Sequence, residues 1–315
     1  RPCFTVNWRK NTQTMQISPK EVEFSDRSYY LPSYEDMDAL VASISEVGIL
    51  NSPVVKESNR GKLIPVLGRR RMKAVIEAGI EGISVLKIGN ELPEKNILSL
   101  VFWDNFHRIK GNPVATAVMT DRLLSVHEPE VIAQTYLHWM GVPPRGPRIS
   151  RLRTLASLDE SCLRALSSGK IIEKTAILLA RLTKEERSIL LGFIQIHGWN
   201  ANKSADALQA IFDLSLIVNK PVNQIVREAS EIIDSQSESS DESQRSEMMR
   251  NLIRSWKYKD LVEQELLFDK WLEKLQAPCN TRIKTAQSFE SEALTLEIKV
   301  ASKREAEAIL KKLNS

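Results

Sequence analysis

Cysteine is scarce: Cys3, Cys162 and Cys279 are the three in 315 residues, far apart and without metal-ligand spacing or a nearby histidine. That excludes a cysteine metal site, leaves no case for a cysteine nucleophile, and points to reduced thiols in a cytosol. Long apolar runs are missing as well. No stretch approaches the roughly 20 residues a spanning helix needs, so neither an integral membrane protein nor a membrane partner is expected. Clustered acids of the kind a metal-dependent nuclease uses are absent. Net charge is low, 44 Lys and Arg against 40 Asp and Glu, so any nucleic-acid surface must be local. The chain opens on Arg1 rather than methionine, which leaves its natural N-terminus open, and nothing in it resembles a targeting signal. Two further absences are regional. Between Val131 and Leu158 there is no carboxylate, and Asp234 to Glu247 contains no apolar residue.

What remains is ordinary protein, 42% hydrophobic and 27% charged, long enough for two or three domains. Its most informative stretch is Leu63 to Ala74, LIPVLGRRRMKA. An aliphatic run stops at Gly68, and Met72, Val75 and Ile76 then recur on one helical face until Gly79. This is a strand, a glycine turn and a helix start. The helix dipole opposes Arg69, Arg70, Arg71 and Lys73 in that first turn unless something anionic sits there. Free backbone N–H groups, a close-approach glycine and planar guanidinium donors together suit phosphate. A solvated basic turn is the alternative.

Upstream, residues 1–20 read as a polar arm, with a short strand expected at Glu21 to Phe24. Ser33 and Asp36 resemble a capping box for a helix carrying Met37, Leu40, Val41, Ile44 and Val47, stopped by Gly48. Pro53 to Lys56 is a strand, Asn59-Arg60-Gly61 a hairpin turn and Ile83 to Ile88 another strand. Pro93 then starts a helix that ends in Trp103-Asp104-Asn105-Phe106-His107-Arg108. That end reads either as an Asp104 to Arg108 ion pair or as a site with Asp104 and Asn105 as Mg²⁺ ligands and Arg108 as a phosphate donor. The pattern predicts an α+β domain over 21–110.

From Asn112 the chain is helical: Val114 to His127, Glu130 to Met140, a Gly/Pro break, then Arg148 to Leu158. Helix, turn, helix with Arg145, Arg148, Arg151 and Arg153 in an acid-free stretch makes a local electropositive face for a DNA groove. More core helices complete an all-α domain over 111–233. The Ser/acid stretch 234–247 predicts a flexible linker. Residues 248–315 read as a helix over Met248 to Leu275, a hairpin of Ile283 with the alternating Leu294 to Val300, and a last helix over Ser302 to Leu313. An α-β-β-α unit so small predicts a homodimer that shares sheet edge and helix face.

In three places, in the right order, the residues resemble the ParB family of chromosome- and plasmid-partition proteins, from about residue 21 to the end. Ser43-Ile44, Gly48 and Pro53-Val54-Val55 come first. Gly68 to Ala74 then resembles the pattern G-E-R-R-x-x-A, and Asp104 to Arg108 resembles E-N-x-x-R. Ile149-Ser150 with Leu155 to Leu158 is similar to the family's second helix of the helix-turn-helix. The resemblance implies a CTP-dependent clamp loaded on double-stranded DNA at a centromere-like site, cytoplasmic and nucleoid-associated, with a ParA-type ATPase as partner. It implies dimerisation through the C-terminal domain, with the N-terminal domains closing on each other when nucleotide binds. Gly68, Arg69, Arg70, Arg71, Asn105 and Arg108 would surround the phosphates, Asn51 and Ser52 would lie near the base, and Asn105 with Asp104 would hold Mg²⁺. Arg145, Arg148, Ser150, Arg151, Arg153 and Lys174 would face DNA.

Two departures bear on chemistry. Arg69 stands where the family usually has a glutamate associated with turnover, and Asp104 replaces a longer glutamate, so hydrolysis is left open. Lys174-Thr175-Ala176 replaces a glycine-histidine-alanine, and the turn carries extra prolines, which points to a different DNA site and a plasmid, phage or accessory element. The alternative is a nucleotide-independent transcriptional regulator or plasmid replication factor of the same fold. Sulfiredoxins and kinases of free serine resemble the N-terminal fold, but the first need a cysteine beside the arginine turn and the second leave the other domains unexplained.

Overall fold

Thr12–Ile17 (β1) forms a strand although its residues, TQTMQI, alternate only weakly. It pairs antiparallel with Ile83–Ile88 (β4) and buries Ile17, with Met15 partly buried against the same core and polar residues between them, which is why the pattern is faint. The polar arm expected over 1–20 is therefore corrected: part of it is an edge of the sheet. The structure, a computed structural model, describes residues 8–144, 147–236, 241–275, 281–285, 293–304, 306, 307 and 309. Two units divide the chain, residues 1–195 with 199–205 and residues 196–198 with 206–315. The division falls inside the stretch 111–233 that the sequence groups as one helical domain.

In the first unit the sheet order is β1-β4-β2-β3, with Val54–Glu57 (β2) parallel to β4 and antiparallel to Leu63–Leu67 (β3). Pro65 is tolerated because β3 is an edge strand, and the register shifts beside it between Val54 and Val55. Asp38–Val47 (α1) and Arg69–Glu77 (α2) cover one face, where Ile44, Val55, Met72, Val75 and Val85 form the core. Glu94–Asp104 (α3) lies against β3. The capping box expected at Ser33 is not made: α1 starts after Met37 without a side-chain cap, and Ser33 Oγ is buried without a partner.

Beyond Asn105, Phe106–Ile109 (α4) is a single turn. Asn112 caps Pro113–Leu123 (α5), its Oδ1 accepting from the N–H groups of Val114 and Ala115 at 3.0 Å. Pro129–Thr135 (α6) is shorter than the pattern predicts, because Tyr136 to Gly141 winds into turns that bury Tyr136, Leu137 and Met140. Arg148–Ala156 (α7), Glu160–Ser167 (α8), Glu173–Leu179 (α9) and Lys184–Ile196 (α10) follow.

Ala201–Ile217 (α11), Val222–Gln236 (α12), Glu242–Lys257 (α13) and Lys259–Leu275 (α14) are next, then the hairpin Thr281–Thr285 (β5) and Leu294–Ile298 (β6). The linker expected over 234–247 is helical at both described ends. Asp241 caps α13 by accepting from the Gln244 N–H at 2.7 Å, with Glu242 and Ser243 in its first turn, and positions 237–240 of the expected linker lie outside the described residues. The single helix expected over 248–275 breaks at Tyr258 (φ −120°, ψ 49°). β6 is exposed on both faces instead of half-buried, with Leu294 50% and Leu296 48% exposed, since nothing among the described residues covers it. Of the last helix expected over 302–313, residues 303, 304, 306, 307 and 309 are helical, and 305, 308 and 310–313 lie outside the described residues.

Candidate functional site

Gly68 joins β3 to α2 with φ +77°, the left-handed region that favours glycine, and a Cβ there would stand 2.9 Å from a guanidinium nitrogen of Arg71. The turn floors a hollow of about 390 Å³, lined by Gly68, Arg69, Arg70 and Arg71, by Asp104, Asn105 and Arg108 from the α3–α4 corner, and by Tyr29, Tyr30 and Leu31. Sequence positions forty residues apart are thus brought to one cavity. Its volume lies in the range of small-molecule sites.

Each arginine already has acceptors. Arg69 donates to the carbonyls of Phe24 and Asp26, the latter at 2.8 Å, and its guanidinium lies over the rings of Phe24 and Tyr30 at 5.5 and 4.9 Å. Arg70 is paired with the Glu35 carboxylate and donates to the Asp36 carbonyl at 2.8 Å. Arg71 donates to the Asn51 carbonyl. Arg108 donates to Asn105 Oδ1 at 3.0 Å and to the Pro32 carbonyl at 3.4 Å, rather than closing the Asp104 ion pair. Burial lowers the pKa of both Arg69 and Arg108, the cost of holding cations away from water, and Tyr30 and Glu35 respectively oppose it.

For the sequence-predicted residues the outcome is mixed. Gly68, the three arginines, Asn105 and Arg108 meet at one hollow with Asp104, whereas Asn51 and Ser52 do not line it; Asn51 serves Arg71 from outside. Among the described residues no cluster of three His, Cys, Asp or Glu side chains forms a metal cage. The wall of Tyr29, Tyr30 and Leu31 escaped the sequence reading. Its signal was there, since three of five tyrosines fall between positions 29 and 34. Tyr29 donates to Glu94 at 2.9 Å, and burial with that carboxylate raises its hydroxyl well above the ordinary range.

The basic helix face is also part occupied. Arg148 is held by Glu173 of α9, Ser150 Oγ donates to the Pro147 carbonyl at 2.7 Å, and Arg153 lies 4.0 Å from Asp121. Arg151 and Lys174 are exposed, and Arg145 lies outside the described residues. No helix among the described residues is long and apolar enough to cross a membrane.

Residues 7–105 match the family of ParB N-terminal domains. The "Nucleoid occlusion protein" of Listeria monocytogenes serotype 4a (strain HCC23) is 27% identical over 203 residues, 64% of this chain and 66% of that protein. The "Probable chromosome-partitioning protein ParB" of Chlamydia trachomatis serovar D is 25% identical over 186 residues, 51% of this chain and 64% of that protein. The chain thus spans just under two thirds of the length of these relatives. Among solved structures, C-terminally truncated ParB from Caulobacter crescentus complexed with CTP-gamma-S is 23% identical, with 58% of this chain and 98% of that chain covered and a TM-score of 0.26. A Pnob8-like ParB-N domain is 11% identical over 80% of this chain and 97% of its own, with a TM-score of 0.30. Residues 7–105 are thus a ParB-type N-terminal domain, and the chain around it is similar to nucleoid occlusion and chromosome-partitioning proteins.

Proposed function

We propose that this chain is a CTP-binding, sequence-specific DNA-binding partition protein acting as a dimeric clamp. The observation that carries the reading is the hollow at Gly68, where four arginines from two elements converge with Asp104 and Asn105. The residues fit a triphosphate. Arg70, Arg71 and Arg108 would hold its oxygens, the glycine turn admits close approach, and Tyr29 and Tyr30 offer rings to a base. Mg²⁺, which takes one or two carboxylates and completes its shell from phosphate and water, fits Asp104 with the free lone pair of Asn105 Oδ1. When bound, the nucleotide and its metal would supply a compact anion for Arg70, Arg71 and Arg108 to hold. Arg69 cannot position water as a base, and it is committed to two carbonyls, so slow turnover at most is expected.

DNA would be met by α6 and α7 as a helix-turn-helix, with Arg151, Arg153, Lys174 and Arg145 on the phosphates. Homodimerisation through residues 248–315 would cover the exposed Leu294 and Leu296 of β6. A ParA-type ATPase is the expected partner, and nucleoid-associated in the cytoplasm the expected location, on a plasmid, phage or chromosome. Titration with each of the four nucleoside triphosphates and Mg²⁺ tests the reading: CTP should bind in preference, and equal binding of all four or none would count against it. DNA pulled down with the protein should give one sharp peak.

A second reading has one observation in its favour. Every arginine at the hollow donates to at least one protein acceptor, as expected of a nucleotide-independent DNA-binding regulator or replication factor. A footprint fixed at one site and indifferent to nucleotide would favour it.

A further inference from the structure

Two of the arginines facing the hollow are tied to one short strap. Arg70 holds the Glu35 carboxylate and the Asp36 carbonyl, and Arg108 donates to the Pro32 carbonyl. The same strap grips α8 on its other side: the Arg164 guanidinium lies over the Tyr34 ring at 4.9 Å. Just upstream, Arg27 lies 3.6 Å from Glu160 of the same helix. The strap is not well satisfied where it sits. Ser33 Oγ is buried without a hydrogen-bond partner, an arrangement that costs free energy, while the Tyr34 hydroxyl lies against the Glu160 carboxylate of α8.

We propose that residues 31–36 are a displaceable strap in which Glu35 acts as a resident stand-in for phosphate on Arg70, so that an incoming triphosphate must evict it and in doing so loosens Tyr34 from Arg164 on α8. The inference rests on the nucleotide reading and adds to it a built-in competitor and a route from the hollow to the helices. Charge makes the competition specific. A carboxylate and a phosphate oxygen seek the same guanidinium edge, and one guanidinium cannot serve both in the same geometry. The Glu35 side chain is 62% exposed, so the pair is a weak, solvent-screened one that a triphosphate with Mg²⁺ outbids. A ligand can shift such an equilibrium only by its differential affinity for the two strap positions, and the Arg70 contact supplies that difference.

The test is calorimetric titration of the full chain with CTP and Mg²⁺, for wild type, Glu35→Gln and Arg164→Ala, with amide hydrogen exchange over residues 31–36 followed in each. Glu35→Gln keeps the shape and removes the competing charge. It should bind CTP about two- to fivefold tighter, the scale of a surface ion pair. Arg164→Ala, which frees the far end of the strap, should shift affinity the same way. Exchange at 31–36 should quicken in nucleotide-free Glu35→Gln and in CTP-bound wild type alike. CTP binding that is equal or weaker in Glu35→Gln, or exchange untouched by both charge removal and nucleotide, overturns the strap while leaving the nucleotide site intact. If neither wild type nor Glu35→Gln binds CTP, the nucleotide reading itself fails and the strap with it.

Discussion

Arg148 and Glu173 meet as a two-pronged ion pair, Nη1 on Oε1 at 2.6 Å and Nη2 on Oε2 at 3.0 Å, that ties α7 to α9. An arginine expected at DNA is therefore a structural brace. Arg148→Ala should cost about 1–3 kcal/mol in denaturant unfolding, because it strands a half-buried carboxylate. Arg151→Ala should leave stability unchanged and instead lower the salt slope of DNA binding by about one phosphate contact. A reversed pattern would put Arg148 on the DNA.

Arg69 is built into the wall rather than into the chemistry. Substituting it with glutamate places a carboxylate against the carbonyls of Phe24 and Asp26 and removes the cation from two aromatic rings. Thermal and denaturant melts should show a loss of about 2–4 kcal/mol. A stable Arg69→Glu protein would mean that these contacts are dispensable.

How much of this was legible in the residues follows from where each signal lives. Gly68 with its arginines and the Asp104 to Arg108 corner could be read because a glycine turn, an apolar strand and a helical face are local patterns. That Arg70 rests on Glu35, and Arg148 on Glu173, could not: these partners lie 35 and 25 positions away and depend on packing. β1 was missed because an edge strand with one buried residue carries little alternation. Asp241 and the residues just after it read as linker for the opposite reason, since residues poor in helix interiors are good caps.

Gly68→Ala tests the turn. The left-handed backbone costs an L-residue about 1–2 kcal/mol, and the new Cβ meets the end of Arg71, a flexible side chain that must swing off the Asn51 carbonyl. Stability should fall by about that amount. Nucleotide affinity should fall more than DNA affinity.

A pH dependence follows from Asp159, the cap of α8. Burial works against its charge, but hydrogen bonds from Ser161, the Cys162 N–H and Arg187, together with the Arg187 charge, hold its pKa down at about 2. Because the folded value lies below the unfolded one, near 4, the contribution of about 2 kcal/mol is complete above pH 4 and is lost as pH falls from 4 to 2. Asp159→Asn should therefore be less stable than wild type at pH 7, and the gap should close by pH 2. A gap that persists there would assign the effect to lost hydrogen bonds rather than to charge.

Calorimetry of CTP with Mg²⁺ on the wild-type chain and Arg71→Ala, each also measured for duplex DNA binding, tests the central claim most directly. The account predicts CTP binding by wild type, a loss of at least tenfold in Arg71→Ala from one removed charge-assisted contact, and unchanged nucleotide-free DNA binding. Equal CTP affinity in the two proteins would contradict a triphosphate docked at Gly68.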